Sequence, residues 1–206
     1  HGKARRIDYN GCLYWLVPMY HPAAALRSGE VMRQKKEDFY LLVGRFVSYK
    51  RIDLAIEAFN KTGMKLKVVG SGRMEASLRR KAKSNIQFLK DLTDNELTEL
   101  YQKAKPLIFP GLEDFGLVMV EAQSFGTPVI AFRDGGALEI VKEGETGEFF
   151  DKPNPDSLIL ALKRFDNKSY NSITIQKNAE RFSFTEFKTN FEAKISESLE
   201  RYKANL

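Results

Sequence analysis

From residue 38 to about residue 150, short apolar runs alternate with stretches of helical spacing, joined by connections of two to six residues. This alternation constrains the fold more than any other feature. A strand returned to the same edge by a helix pairs in parallel with its predecessor, and a parallel sheet needs helices on both faces. Phe39-Tyr40-Leu41-Leu42-Val43 is a continuous apolar run closed by Gly44, as expected of a strand buried on both faces. Ile52, Ala55, Ile56 and Phe59 follow at helical spacing and stop at Gly63. Further strands are expected at 66–69, 86–89, 107–109 and 128–131. Further helices are expected after Gly72 to about Lys83, from about Gly116 to Ser124, and briefly after Gly135-Gly136. Thr93-Asp94-Asn95-Glu96 has capping-box spacing ahead of a helix to about Ala104. Beyond Asp151 the pattern is helical only: Pro155 to Phe165, about Ile173 to Arg181, and a long helix opened by Ser183-Phe184-Thr185-Glu186. The stripe of that last helix is Phe184, Phe187, Phe191, Ile195, Leu199 and Tyr202. The fold class expected is α/β, a doubly wound parallel sheet with a helical C-terminus.

The first 36 residues stand outside this rhythm. Leu13-Tyr14-Trp15-Leu16-Val17 reads as a strand, followed by Pro18-Met19-Tyr20-His21-Pro22 and an alanine-rich turn. Seven Lys or Arg against Asp8 and Glu30 give this segment +5 of the chain's formal +6. Such asymmetry divides the chain into a basic segment, 1–36, and a nearly neutral domain, 37–206. By composition the domain is not a nucleic-acid binder. With 29% charged residues and no apolar run near the length of a membrane span, no transmembrane helix is expected. Cys12 alone excludes an internal disulfide, and two histidines leave little for a metal centre, so a reducing, cytoplasmic setting is the simplest expectation. A first residue that is His rather than Met reads as a fragment.

In a doubly wound sheet, ligands bind beyond the carboxyl ends of the strands. Three features fall there. Gly44-Arg45 follows the first strand, with Lys50-Arg51 five residues on, and two cations at a strand end can neutralise a diphosphate. Taken alone, a solvated basic turn has the same sequence. Gly70-Ser71-Gly72 follows the second strand, but Glu75 stands where a dinucleotide fingerprint has its third glycine. Pro110-Gly111-Leu112-Glu113-Asp114-Phe115-Gly116-Leu117 precedes a helix whose amides from Phe115 to Leu117 form an anion site. Glu121, within an otherwise apolar stretch of that helix, needs a partner, either a ribose diol or a buried Arg or Lys.

These residues, with Phe109-Pro110, Glu121-Ala122, Gly126-Thr127-Pro128-Val129-Ile130-Ala131, Gly135-Gly136-Ala137-Leu138-Glu139 and Gly144-Glu145-Thr146-Gly147, resemble the C-terminal half of family-4 retaining glycosyltransferases. The motifs stand in family order at family spacing over about residues 38–205. The resemblance implies the C-terminal domain of a two-domain, GT-B architecture that binds a nucleotide sugar without a metal, and no Asp-x-Asp pair occurs in the chain. By the same resemblance Arg45 and Lys50 hold the donor diphosphate and stabilise the leaving group, and Glu113 accepts from sugar hydroxyls. Gly44, Gly70, Gly72, Asp114 and the Phe115-Gly116-Leu117 amides line the donor site, and Glu121 takes the ribose hydroxyls. Asp94 faces the base, although Lys90 stands where the family usually has Gly. The wording around Glu113 and Gly135 is most similar to mannosyltransferases of polysaccharide assembly, which implies GDP-mannose. A saccharide or lipid-linked acceptor would be held by an N-terminal domain for which this chain has no residues, with room for peripheral membrane association. Donor binding with little or no transfer is then expected of this chain alone.

Residues 1–9 and 18–27 resemble instead the C-terminal end of type-4 uracil-DNA glycosylases, with His21-Pro22-Ala23-Ala24 similar to that family's second active-site motif. The water-activating motif and the cluster cysteines are missing, so a truncated remnant is expected, joined near Lys35-Lys36-Glu37-Asp38-Phe39. A DNA-binding or base-excision fragment is the alternative function.

Overall fold

The computed structural model describes residues 5–9, 12–16 and 35–204. The first two stretches form β1 (Arg5–Tyr9) and β2 (Cys12–Leu16), an antiparallel pair in a sheet of its own. His21 and the rest of the glycosylase-like motif lie outside the described residues.

The main sheet is parallel and six-stranded. Its strands are β3 (Tyr40–Val43), β4 (Leu66–Val69), β5 (Ile86–Leu89), β6 (Leu107–Phe109), β7 (Val129–Phe132) and β8 (Gly147–Phe150). Their order in space is β5-β4-β3-β6-β7-β8, so the winding reverses between β3 and β6. Because side chains alternate along a strand, each strand supplies both faces. Tyr40, Leu42, Val68, Ile108, Ile130 and Phe150 pack under α1 (Ile52–Thr62), α2 (Glu75–Lys81) and α6 (Pro155–Asp166). Leu41, Leu107, Phe109, Val129, Ala131 and Phe149 pack on the other face, under α3 (Asp94–Lys103), α4 (Leu117–Ser124), the single turn α5 (Ala137–Ile140) and α7 (Ser172–Glu180). The Thr93 capping box is fully formed, with Glu96 N bonded to Thr93 Oγ1 at 3.3 Å and Thr93 N bonded to Glu96 Oε2 at 2.7 Å.

Two strands depart from the sequence reading, β1 in the N-terminal segment and β8 in the main sheet. Gly147–Phe150 is a strand, whereas the reading ended the sheet at the strand before it. A carboxylate at its centre hid it from an apolar search. Glu148 is 1% exposed, and Lys168 Nζ at 2.6 Å, Tyr170 Oη at 2.7 Å and Arg164 Nε at 3.4 Å satisfy it. Burial works to raise its pKa, but these donors outweigh that and hold it below the usual carboxylate value. The last helix, α8 (Phe184–Ala204), is long and amphipathic as expected. Its stripe does not face a core: Phe187, Phe191 and Tyr202 are exposed.

Candidate functional site

The reversal between β3 and β6 opens a crevice beyond their carboxyl ends, the place where a doubly wound sheet receives a ligand. The loop after β3 carries Arg45 and Lys50, and the loop after β6 carries Glu113 to Gly116. Lys50 lies in a 3-10 turn, Ser48–Lys50, that ends at Arg51 in the left-handed region, φ 50°. Across the crevice, Lys50 Nζ donates to Glu113 Oε1 in an ion pair that is mostly buried. Burial, and after it the Arg45 guanidinium, pulls the Lys50 pKa below the ordinary lysine value. Arg45 is exposed and donates to Tyr49 Oη at 3.0 Å. Between the two strands lies a space of about 10 Å³, lined by Gly44, Lys50, Phe109, Pro110 and Gly111 among others, room for about one water.

Glycines set the shape of these loops. A Cβ at Gly111 would come to 2.8 Å from Lys50 Cα, so the β6 loop reaches the lysine turn only as glycine. A Cβ at Gly136 would meet Phe115 O at 2.3 Å, and Gly136 N donates to Glu113 O at 2.8 Å. The Gly135-Gly136 pair thus presses the β7 loop onto the segment that carries the acid. Gly70, at φ 137°, would drive a Cβ to 2.1 Å from Gly44 O. For Gly72, Phe46 O would lie 2.7 Å away, so the contact that demands glycine at both is with the neighbouring loop.

Gly116 is the N-cap of α4 in the left-handed region, φ 87°, and no side chain caps the helix. Among the described residues, the amides of Phe115, Gly116 and Leu117 take no acceptor, whereas Met119 N bonds to Gly116 O at 2.9 Å. Three donors and a helix N-terminus are therefore offered beside Lys50. Asp114 and Phe115 are exposed, and Phe115 meets the Phe182 ring edge-on at 5.7 Å.

Glu121 is half-buried one turn into α4. Its partner is neither Arg nor Lys but Tyr101, whose Oη donates to Glu121 Oε2 at 2.8 Å. Burial raises the Glu121 pKa, and the Tyr101 hydroxyl lowers it again in part. Tyr101 was missed in the sequence because its spacing in α3 is that of a core residue; the available signal was a buried phenol, which needs a polar partner. Asp94 is exposed at the first position of α3, the helix that follows β5 at the sheet's edge. In the loop before it, Asp91 holds a left-handed conformation, φ 54°.

The domain is a parallel, doubly wound α/β fold with cations, amides and an acid gathered at its switch point, where such folds receive ligands. The chain is a member of the family Glycosyl transferases group 1, whose model matches residues 28–182. It is 31% identical over 151 residues to an uncharacterized glycosyltransferase of Methanocaldococcus jannaschii, covering 71% of this chain and 43% of that protein. It is 27% identical over 153 residues to O-antigen chain mannosyltransferase C of Escherichia coli, covering 70% and 41%. The structure of the lipopolysaccharide outer core galactosyltransferase WaaB in its apo form superposes with a TM-score of 0.71 at 20% identity, covering 81% of this chain and 51% of that one. The chain thus spans about half the length of the proteins it matches.

Proposed function

We propose that this chain is the donor-binding half of a retaining glycosyltransferase that uses a nucleoside diphosphate sugar, GDP-mannose in the first instance, for polysaccharide or glycolipid assembly. The observation that carries this reading is the Lys50–Glu113 pair across the β3–β6 crevice, with free helix amides beside it. In transfer, the bond between the anomeric carbon and the phosphate oxygen breaks with its electrons left on the diphosphate, the acceptor oxygen bonds to the anomeric carbon on the same face, and the acceptor's proton passes to the departing phosphate. Arg45, Lys50 and the Phe115–Leu117 amides stabilise that growing charge in the role a metal ion has elsewhere. Before the donor arrives, Glu113 holds the Lys50 ammonium in place. The β-phosphate then competes for Lys50 and releases the carboxylate to accept from sugar hydroxyls.

Glu121 accepts from the ribose diol, Asp94 faces the base, and the acceptor hydroxyl is presented by the other half of a two-domain enzyme. The mannosyl donor follows from the wording around Glu113 and Gly135 and agrees with the name of the Escherichia coli relative. Calorimetric titration with GDP, UDP, GMP, UMP and GDP-mannose tests this. The diphosphates should bind more tightly than the monophosphates, and Arg45→Ala with Lys50→Ala should erase the difference. Equal affinity for GDP and GMP, or for UDP and UMP, in the unaltered protein overturns the diphosphate site. Preference for UDP over GDP overturns the mannosyl assignment alone.

A further inference from the structure

Behind the crevice, α3 and α4 are tied together at Tyr101. This residue lies in the last turn of α3, 2% exposed, with its ring stacked on Phe125 at 5.8 Å and 12° between planes. Its main chain is held as well. The end of a helix leaves carbonyls without intrahelical donors. The amide that would have bonded Tyr101 O, that of Lys105, donates to Phe39 O at 2.9 Å instead. The fully buried hydroxyl of Thr127 donates to Tyr101 O in its place. The Gly-Thr-Pro motif therefore anchors α3 against the turn that enters β7. With backbone and ring both fixed, the phenol hydroxyl has one direction available, and it points at Glu121 Oε2.

We infer that Tyr101 is a positioning residue: by donating to Oε2 it fixes the plane of the Glu121 carboxylate and turns Oε1 toward the nucleotide's ribose diol. The inference rests on the ribose role proposed above for Glu121. Among the described residues Oε1 takes no partner, so the carboxylate keeps acceptor capacity for a ligand. Tyr101 also keeps the group useful as an acceptor. Burial drives Glu121 toward its protonated form, and a donated hydrogen bond favours the carboxylate. Losing the hydroxyl therefore moves the acid-side loss of nucleotide affinity to higher pH.

The test compares affinities for GDP and UDP with those for their 2′-deoxy counterparts, in the full chain, across pH. The ratio of ribo to deoxy affinity should be large in the unaltered protein and close to one in Glu121→Gln. Tyr101→Phe should lower it about tenfold, the lower end of the effect of one hydrogen bond to a charged acceptor. It should also shift the acid limb upward, and Tyr101→Phe should have no further effect on Glu121→Gln. A purely structural role for Tyr101 would lower ribo and deoxy affinities together and leave the ratio unchanged. If Tyr101→Phe does not fold, 3-fluorotyrosine at position 101 supplies a stronger donor of nearly the same shape, and the acid limb should move to lower pH. A ratio kept in Tyr101→Phe but lost in Glu121→Gln, or an unmoved limb with fluorotyrosine, overturns the positioning role and leaves the ribose reading standing. A ratio kept in Glu121→Gln overturns both.

Discussion

The two edges of the main sheet differ in a way that runs against size. The amino edge has the larger opening, about 520 Å³, bordered by Glu37, Asp38, Lys65, Lys67 and Gln87 among others. Its two acids are already paired, Asp38 with Lys105 at 2.9 Å and Glu37 with Lys103 at 3.2 Å, and Lys67 lies 3.9 Å over the Phe39 ring. The carboxyl edge between β3 and β6 encloses only about 10 Å³. Yet it holds the left-handed Arg51, the helix amides without acceptors, and glycines forced by neighbouring backbone. Backbone held in unusual conformations by close loop contacts marks a working site more reliably than volume does.

This contrast can be broken most sharply by glycine substitution. Gly70→Ala at the carboxyl edge meets both φ 137° and a carbonyl at 2.1 Å, and urea denaturation should show a loss of about 3 kcal/mol or more. Gly63→Ala at the end of α1 also has a left-handed φ, 72°, but nothing within 4 Å, and about 1 kcal/mol should be lost. Equal losses would mean that the carboxyl-edge loops are no more tightly determined than an ordinary helix end. Next in size, Lys50→Ala should weaken GDP or UDP binding by about 2 kcal/mol, roughly thirtyfold, in calorimetry. Lys67→Ala, over the larger cleft, should leave it within about twofold. A reversed order would move the ligand to the amino edge.

The smallest effect is one of pH. The Glu121 pKa is raised in the folded protein, first by burial, so the carboxylate is lost on acidification at a pH above the ordinary glutamate value. Affinity for GDP-mannose, whose esterified diphosphate has no proton that titrates in this range, should fall as pH drops through that point, and the fall should be absent in Glu121→Gln. An unchanged limb in Glu121→Gln would assign the titration elsewhere.

Periodicity and loop spacing made most of this architecture legible, because continuous apolar strands buried on both faces leave a plain trace. In the main sheet the missed strand, β8, is short and carries Glu148, whose partners Lys168, Tyr170 and Arg164 come from beyond it in sequence. No local pattern records such a cluster. The stripe on α8 was legible as a stripe, but periodicity does not say what covers it, and the structure leaves Phe187 and Phe191 exposed and stacked on each other at 5.7 Å. At the site, Lys50 and Glu113 were legible as residue types at strand ends, whereas their pairing across 63 positions was not. Gly70 and Gly72 were read as ligand-facing, and the physical demand for glycine at both proves to come from Gly44 and Phe46. Tyr101 was hidden by its core-like spacing, since a phenol's polar end is invisible to an apolar pattern.

The central claim is that nucleoside diphosphate meets the carboxyl edge between β3 and β6. Titrating the isotope-labelled chain with GDP and with UDP, and following its backbone amide resonances, tests that directly and detects weak binding. The account predicts the largest shifts at Gly44, Lys50 and Phe115 to Leu117, absent with GMP or UMP at the same concentration. Shifts confined to Lys65–Gln87 at the amino edge, or none at Phe115 to Leu117 on saturation, would contradict it.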